Sequence, residues 1–468
     1  MIQPSAQGPA RPETPKVRLI LAMVPTVLVA ACATYHAKPL PDGADLANAP
    51  SLELPAGQLA VPGLSTHPFN PANGLDMTET VTLAVLNNPD LKAKRLQAGV
   101  AAAQLLQAGL LPNPQLSTSY LNPVSGQPPL SDSYTFGLMQ DLTALISRGA
   151  ARAAARADKA KVNLNILWQE WQVAQKARQL FIQARAHAHL DDVLETRRRL
   201  YAKRYRRDRK ALRQGNLTLA TSSADLVALV DANTQLRQLQ RQRNQTRHAL
   251  DALLGLKPEV KPRLTGFARL HPFSRAQFRT ALAQLPRRRP DLLALKAGYH
   301  SQEATVRKAI LQQFPTLSIG PTGGRDTGFV NSVGFSINLT LPLFDHNQGR
   351  IAIARATRAV LRQTYQARLD SAVNAAHKLW REVHIRHRQL RQLEARLPKL
   401  EATTDAAQRS FARGNLSAGT YINLRSSLLA KRVEAIRLKS ALQQAQAGLE
   451  TLLGMTLGPR GSTAGGES

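Results

Sequence analysis

The side chains best suited to chemistry in this chain are histidines. His384 and His387 lie three residues apart on a segment of helical periodicity, a separation shared by pairs of zinc ligands, and His187 and His189 lie two apart. His387, however, falls on an apolar seam, and no third ligand is in register. Without cysteine or carboxylate company the pairs read as structural, so neither a metal site nor a cofactor is expected. The sequence has no phosphate-cradling glycine loop, no nucleophile elbow and no paired-carboxylate arrangement. An enzyme is therefore not expected. Two Gly-Asn turns stand out instead, Arg213, Gly215, Asn216 and Leu217, and Arg413, Gly414, Asn415 and Leu416. Glycine tolerates the left-handed backbone that ends a helix, and asparagine is the next most tolerant residue. A third turn, Asp345-His346-Asn347-Gln348-Gly349, follows Pro342, which cannot donate to a strand ladder.

Lys and Arg outnumber Asp and Glu by 62 to 31, a formal charge of +31 over 468 residues. Such basicity raises nucleic acid as a partner. Aromatic residues are only 5%, though, and the basic residues are spread along helices as a solvated face would have them. Nucleic acid is not expected. The densest run, Arg197-Arg198-Arg199 to Lys203-Arg204-Tyr205-Arg206-Arg207-Asp208-Arg209-Lys210, comes just before the first Gly-Asn turn. It is either a solvated face or a collar for acidic groups on a partner. At the N-terminus, Arg11, Lys16 and Arg18 precede the apolar run Leu19 to Ala31, too short for a permanent span. The run closes in Val29-Ala30-Ala31-Cys32, which resembles the bacterial lipobox. Residues 1–31 are thus expected to be a signal peptide and Cys32 a lipid attachment site. Ala33, where resembling lipoproteins retained in the inner membrane carry Asp, implies outer-membrane delivery. Cys32 is the single cysteine, which excludes an intrachain disulfide.

The elements that position these residues come in two copies. Residues 32–73 read as an extended arm, and order begins near Thr78, a candidate N-cap. A short helix to Asn88, a second from Pro89 to near Leu111, and strands near 115–122 and 133–142 follow. A helical region from about Ser147 to Arg213 breaks at Gln214-Gly215-Asn216 and resumes to Leu254. The series then repeats, with strands near 316–323 and 333–341 and a break near 412–416. The break glycine and closing glycine are equally spaced in both copies (255 − 215 = 40; 454 − 414 = 40). The expected units are therefore a first repeat over 74–265, a second over 266–455 and a flexible tail at 456–468. Within the second, Val333, Phe335, Ile337, Leu339 and Leu341 alternate with Gly334, Ser336, Asn338 and Thr340. That is a strand with one apolar and one polar face, about the length of a tilted transmembrane strand. The long helices carry apolar seams in steps of three and four, such as Leu229, Ala232, Leu236, Leu239 and Leu369, Val373, Ala376, Trp380, which pack side by side with left-handed supercoiling.

Four strands cannot close a membrane barrel, and open edges in lipid leave backbone groups unpaired. Other copies of the chain must complete the sheet. Lipobox, duplicated strand pairs, long helical hairpins and Arg-x-Gly-like tips together resemble the TolC-type outer-membrane efflux family over roughly residues 74 to 455. That resemblance implies a mainly α protein with a small β part, forming a homotrimer. Its 12-stranded barrel would sit in outer-membrane lipid and continue into a periplasmic α-helical barrel of 12 helices. It further implies that the Gly215 and Gly414 tips dock a periplasmic adaptor, which links the duct to an inner-membrane pump. The turn Leu343-Phe344-Asp345-His346-Asn347-Gln348-Gly349 is similar to that of CzcC-like members serving heavy-metal efflux. A duct for secreted protein or peptide, and a periplasm-spanning structural lipoprotein without a pore, are the alternatives.

Overall fold

The structure, a computed structural model, describes residues 35–52, 69–127, 129–266, 268, 270 and 272–455. The expected signal peptide, Cys32 and the tail at 456–468 lie outside these residues. Residues 1–45 form one unit, whose described part, 35–45, is exposed and has neither helix nor strand. Everything below concerns the second unit, 46–468.

The first copy of the repeat consists of α1 (Met77–Asn87), α2 (Pro89–Gln107), β1 (Gln115–Leu121), β2 (Ser133–Asp141), α3 (Thr143–Arg213) and α4 (Leu219–Leu254). The second consists of α5 (Arg275–Ala283), α6 (Leu285–Arg288), α7 (Pro290–Leu311), β3 (Thr316–Arg325), β4 (Asn331–Thr340), α8 (Gln348–Ala412) and α9 (Ala418–Leu452). At 71 and 65 residues, α3 and α8 are each on the order of 100 Å long. Such helices are stabilised by their seams rather than by propensity alone. Ala232, Leu239 and Leu250 of the α4 seam are buried, as are Ala376, Val383 and Leu390 of the α8 seam.

Several boundaries differ from expectation. The N-cap of α1 is Asp76, not Thr78. Asp76 Oδ1 accepts the Glu79 amide at 2.8 Å and Glu79 Oε2 accepts the Asp76 amide at 2.8 Å, a reciprocal pair unavailable to Thr78. Helix α2 stops at Gln107, four residues before Leu111, and the Gly109 carbonyl beyond it accepts Arg148 Nε at 2.8 Å. Helix α3 starts at Thr143 rather than Ser147, because Asp141 Oδ1 accepts the amides of Thr143 and Ala144. Part of the N-terminal arm is docked: Ala47 bridges Leu256, and Asn87 Nδ2 donates to the Ser51 carbonyl at 2.7 Å.

The two largest hydrophobic clusters lie one in each repeat. Leu83, Val85, Trp171, Leu180 and Leu254 centre the first, and Phe278, Ala376, Val383 and Leu449 the second. Leu190, Leu194, Leu239 and Val433 join α3, α4 and α9 between them. At the same junction the buried Arg178 pairs with Glu450, Gln183 donates to Gln444, and the Gln175 side-chain amide donates to Thr451 Oγ1. The four strands form one antiparallel sheet in the order β1-β2-β3-β4, with β2 and β3 uniting the repeats.

Candidate functional site

The sheet register sorts side chains by face. Leu116 opposes Leu138, Thr118 opposes Phe136, Phe136 opposes Gly323, and Ile319 opposes Ile337. The same face of β4 carries Val333 and Phe335, which are 92% and 81% exposed. The opposite face is Ser117, Ser119 and Thr135, then Ser318, Gly320 and Thr322, then Ser336, Asn338 and Thr340. A sheet with one apolar face and one hydroxyl-rich face suits lipid on one side and water on the other. Gly320 is required by close approach: a Cβ there would meet the Leu138 carbonyl oxygen at 1.7 Å. Among the described residues, the outer edges of β1 and β4 have no strand partner.

At the far end of the helices are the two Gly-Asn turns, built alike. Gly215 (φ +72°) and Gly414 (φ +80°) are left-handed, and a Cβ on either would meet nothing within 4 Å. They are therefore needed for backbone conformation, not for packing. Gly215 N–H donates to Leu212 O and Asn216 N–H to Ala211 O, while Gly414 N–H donates to Phe411 O and Asn415 N–H to Ser410 O. This double bonding closes the last turn of α3 and of α8 in the same way. Thr218 and Ser417 then cap α4 and α9, accepting the amides of Thr221 and Thr420. Arg213, Asn216, Arg413 and Asn415 are exposed, and Leu217 and Leu416 are half-buried.

The basic run beside the first tip divides into internal and external residues. Arg198 bonds Glu195 through two nitrogens, Arg197 donates to Gln235, and Tyr201 meets Ser426 at 2.5 Å. Arg204 is largely buried: its Nε lies 2.7 Å from Asp225 Oδ1 and 3.6 Å from Asp208 Oδ2, and it donates to Asn423 on α9. Burial and a hydrogen bond from Asp208 push the Asp225 carboxyl up to about 6, against the lowering charge of Arg204. Asp225 was not singled out by composition or motif, but it has a sequence signal. Carried back from Leu229 in steps of four and three, the α4 seam lands on Asp225 and Ser222, both buried. A carboxylate on an apolar seam must find a cation, and Arg204 supplies it.

The histidines are not brought together as ligands. His384 Nδ1 meets the Trp380 carbonyl at 2.8 Å, with its ring 4.1 Å from the Trp380 ring, and His387 is half-buried. His187 faces a cavity lined by Gln240 and Arg243, whereas His189 lines another with Phe181 and Val193. Burial and Arg243 hold His187 below its ordinary value. Among the described residues no three His, Cys, Asp or Glu side chains are grouped to hold a metal ion.

The Asp345–Gly349 turn has a clear fold role. Asp345 Oδ1 accepts the Asn347 amide at 2.8 Å and Gln348 Oε1 accepts the His346 amide at 2.7 Å. Asn347, left-handed at φ +62° and buried, donates from Nδ2 to the Ala309 carbonyl in the last turn of α7. His346 and Gly349 are exposed. Cys32 lies outside the described residues.

Residues 281–455 match the family model for outer membrane efflux protein. The fold is that of solved channels. A CusC structure matches at 19% identity and TM-score 0.65 over 88% of this chain and 99% of that one. The outer membrane protein VceC from Vibrio cholerae matches at 17% identity and TM-score 0.65 over 81% and 96%. The open-state MtrE outer membrane channel of Neisseria gonorrhoeae matches at 18% identity and TM-score 0.61 over 88% and 98%. No curated protein matches the chain in sequence. Among the described residues no helix is long and apolar enough to cross a membrane.

Proposed function

We propose, from the premise that this chain belongs to the outer membrane efflux protein family, that three copies form the passive exit duct of a tripartite efflux system. Channels of this family are not enzymes, so the driving force must come from a partner. The observation that carries the reading is the four-stranded sheet, apolar on one face and, among the described residues, open at both edges. Each unpaired backbone group on such an edge would cost several kcal/mol in lipid. Because β1 and β2, β2 and β3, and β3 and β4 all run antiparallel, β4 of one copy can pair antiparallel with β1 of the next. Three copies then close 12 strands, with the Ser/Thr/Gly face around the lumen.

The Gly215 and Gly414 tips, exposed and alike, are the surfaces by which the duct meets a periplasmic adaptor, itself joined to an inner-membrane pump. Cys32 carries the lipid anchor. The pump exports heavy-metal ions or organic toxicants, and the Asp345–Gly349 turn supports the metal branch by resemblance alone. Mass measurement of the detergent-purified chain should give three copies, and conductance across a planar bilayer should appear once the tips are opened by substitution. A monomer, or a trimer that never conducts, would remove the duct and favour a structural lipoprotein. Growth of a deletion strain on zinc, cobalt, cadmium, nickel, copper and silver beside organic toxicants then identifies the cargo. Sensitivity confined to metals supports the metal branch, and sensitivity to organic compounds discards it.

A further inference from the structure

The last three turns of α3 carry five cations on one face: Lys203, Arg206, Arg207, Lys210 and Arg213. At 100° per residue they fall within an arc of about 120° running roughly 15 Å to the Gly215 turn. All five are exposed, and among the described residues none forms an ion pair; Arg207 alone reaches a neighbour, its guanidinium 5.9 Å from the Phe411 ring centroid. The face opposite them packs inward, with Tyr201, Arg204 and Asp208 against α4 and α9. Like charges crowded on one helix face are destabilising by a few tenths of a kcal/mol per pair. Such a stripe is therefore not explained by the stability of the helix itself.

The second repeat does not carry a matching stripe. The two repeats are offset by 199 residues at the tips (414 − 215 = 199), so the matching face of α8 is Ala402, Asp405, Ala406, Arg409 and Ala412. Its formal charge is zero against +5 (one Asp and one Arg, against five cations).

We propose that this stripe is a docking surface for an acidic helix of the periplasmic partner, with carboxylates recurring at three- and four-residue steps over about three turns. The proposal rests on the reading that the tips face such a partner, and it deepens that reading by giving the partner's charge and form.

The test uses the full-length chain in detergent and two designed helical peptides as probes. One carries Glu at three- and four-residue steps, and the other carries Gln at the same positions. Fluorescence anisotropy compares the native chain with Lys203→Gln/Arg206→Gln/Lys210→Gln, and with the control Arg391→Gln/Arg396→Gln/Lys399→Gln, after each is shown to keep its helix content and native mass. The Glu peptide should bind the native chain about tenfold or more tighter than the Gln peptide, and less tightly as salt rises to about 0.5 M. The stripe variant should lose that advantage, and the control should change by less than about twofold. Equal losses in the two variants would reduce the effect to net charge and overturn the proposal, as would equal binding of the two peptides. If the stripe variant keeps peptide affinity but alters the anion-to-cation permeability of a tip-opened channel, the stripe lines the conduit and the proposal fails. Oligomeric mass and conductance report on the duct itself, so its failure is read separately.

Discussion

The two hairpins of this chain end alike and differ in the charged side chains packed beside the end. Both tips use a left-handed glycine, a following asparagine and a Ser/Thr cap two residues on, with the same pair of backbone hydrogen bonds. Around them, Arg204, Asp208 and Asp225 of the first hairpin correspond at the 199-residue offset to Thr403, Ala407 and Leu424 of the second. The strand-to-helix corners diverge in the same manner: Arg148 holds the Gly109 carbonyl after α2, and Asn347 holds the Ala309 carbonyl near the end of α7. Backbone geometry has thus been kept in duplicate, while side-chain chemistry has separated. Turn conformation is demanded by the path of the chain in both repeats, whereas each flank meets different neighbours.

The largest effect is expected where the repeats agree. Replacing Gly215 and Gly414 together by valine puts β-branched residues into left-handed backbone, at roughly 1–2 kcal/mol each. Nothing within 4 Å opposes the added atoms, so trimers should still reach the outer membrane while export is lost. Export measured in a complemented deletion strain decides it, and undiminished export would show that the tips do not dock a partner.

Next comes the seam where the repeats meet. The Arg178 and Glu450 side chains are 3% and 14% exposed, and truncating Arg178 to alanine leaves a carboxylate buried without its cation. A loss of about 3–5 kcal/mol is expected. The pair Arg358–Glu303, about 40% exposed on both sides, should contribute less than about 1 kcal/mol when Arg358 is truncated. Denaturant melts of the two variants check the ratio, and comparable losses would mean that the Arg178 seam is hydrated.

Where the repeats differ, pH should separate them. The Asp225 carboxyl sits at about 6 in the fold, against an ordinary 3.8, so the folded state binds the proton more tightly than the unfolded chain. Its contribution to stability is complete below pH 3.8 and is lost as pH rises through about 6. Asp225→Asn should flatten the stability profile in that window and leave it unchanged elsewhere. Asp291 opposes this at lower pH: burial raises its carboxyl, but Arg289 and Arg368 outweigh burial and hold it below the ordinary value. Its contribution is present above pH 3.8 and lost on further acidification. A profile unaltered by Asp225→Asn would place the first hairpin's carboxyl in water.

What could be read from the sequence follows the same division. Period-two alternation located β4 to within about two residues, because the alternating row has one apolar and one polar face, and the repeat carried that reading to β3. The 40-residue glycine spacing located both hairpins, since left-handed turns admit few residue types. Pairings between distant residues were not legible: Arg178 and Glu450 are 272 positions apart, and nothing local marks either. The choice of Asp76 over Thr78 as cap was ambiguous because both are capping residue types, and only the reach of Glu79 decides it. Helices α5 and α6, nine and four residues long, are too short to show a period. The function of the Gly-Asn turns could be stated only through the family resemblance, because good turn chemistry is the same whether or not a partner meets it.

The smallest effect tests the agreement between the tips most finely. Thr218 Oγ1 accepts the Thr221 amide at 3.4 Å, and Ser417 Oγ accepts the Thr420 amide at 3.1 Å. Each hydroxyl also lies close to the Oγ1 of the threonine whose amide it accepts, at 3.0 and 2.9 Å. Removing a hydroxyl cap costs about 1 kcal/mol in the helix that follows. Thr218→Ala and Ser417→Ala should therefore raise hydrogen exchange in the first turns of α4 and α9 by similar factors, roughly fivefold. A rise confined to one of them would mean that neighbouring side chains, not the cap, hold the first turn of the other. The first hairpin is where such extra support would come from, since Arg204 already ties α3 to Asp225 on α4 and to Asn423 on α9.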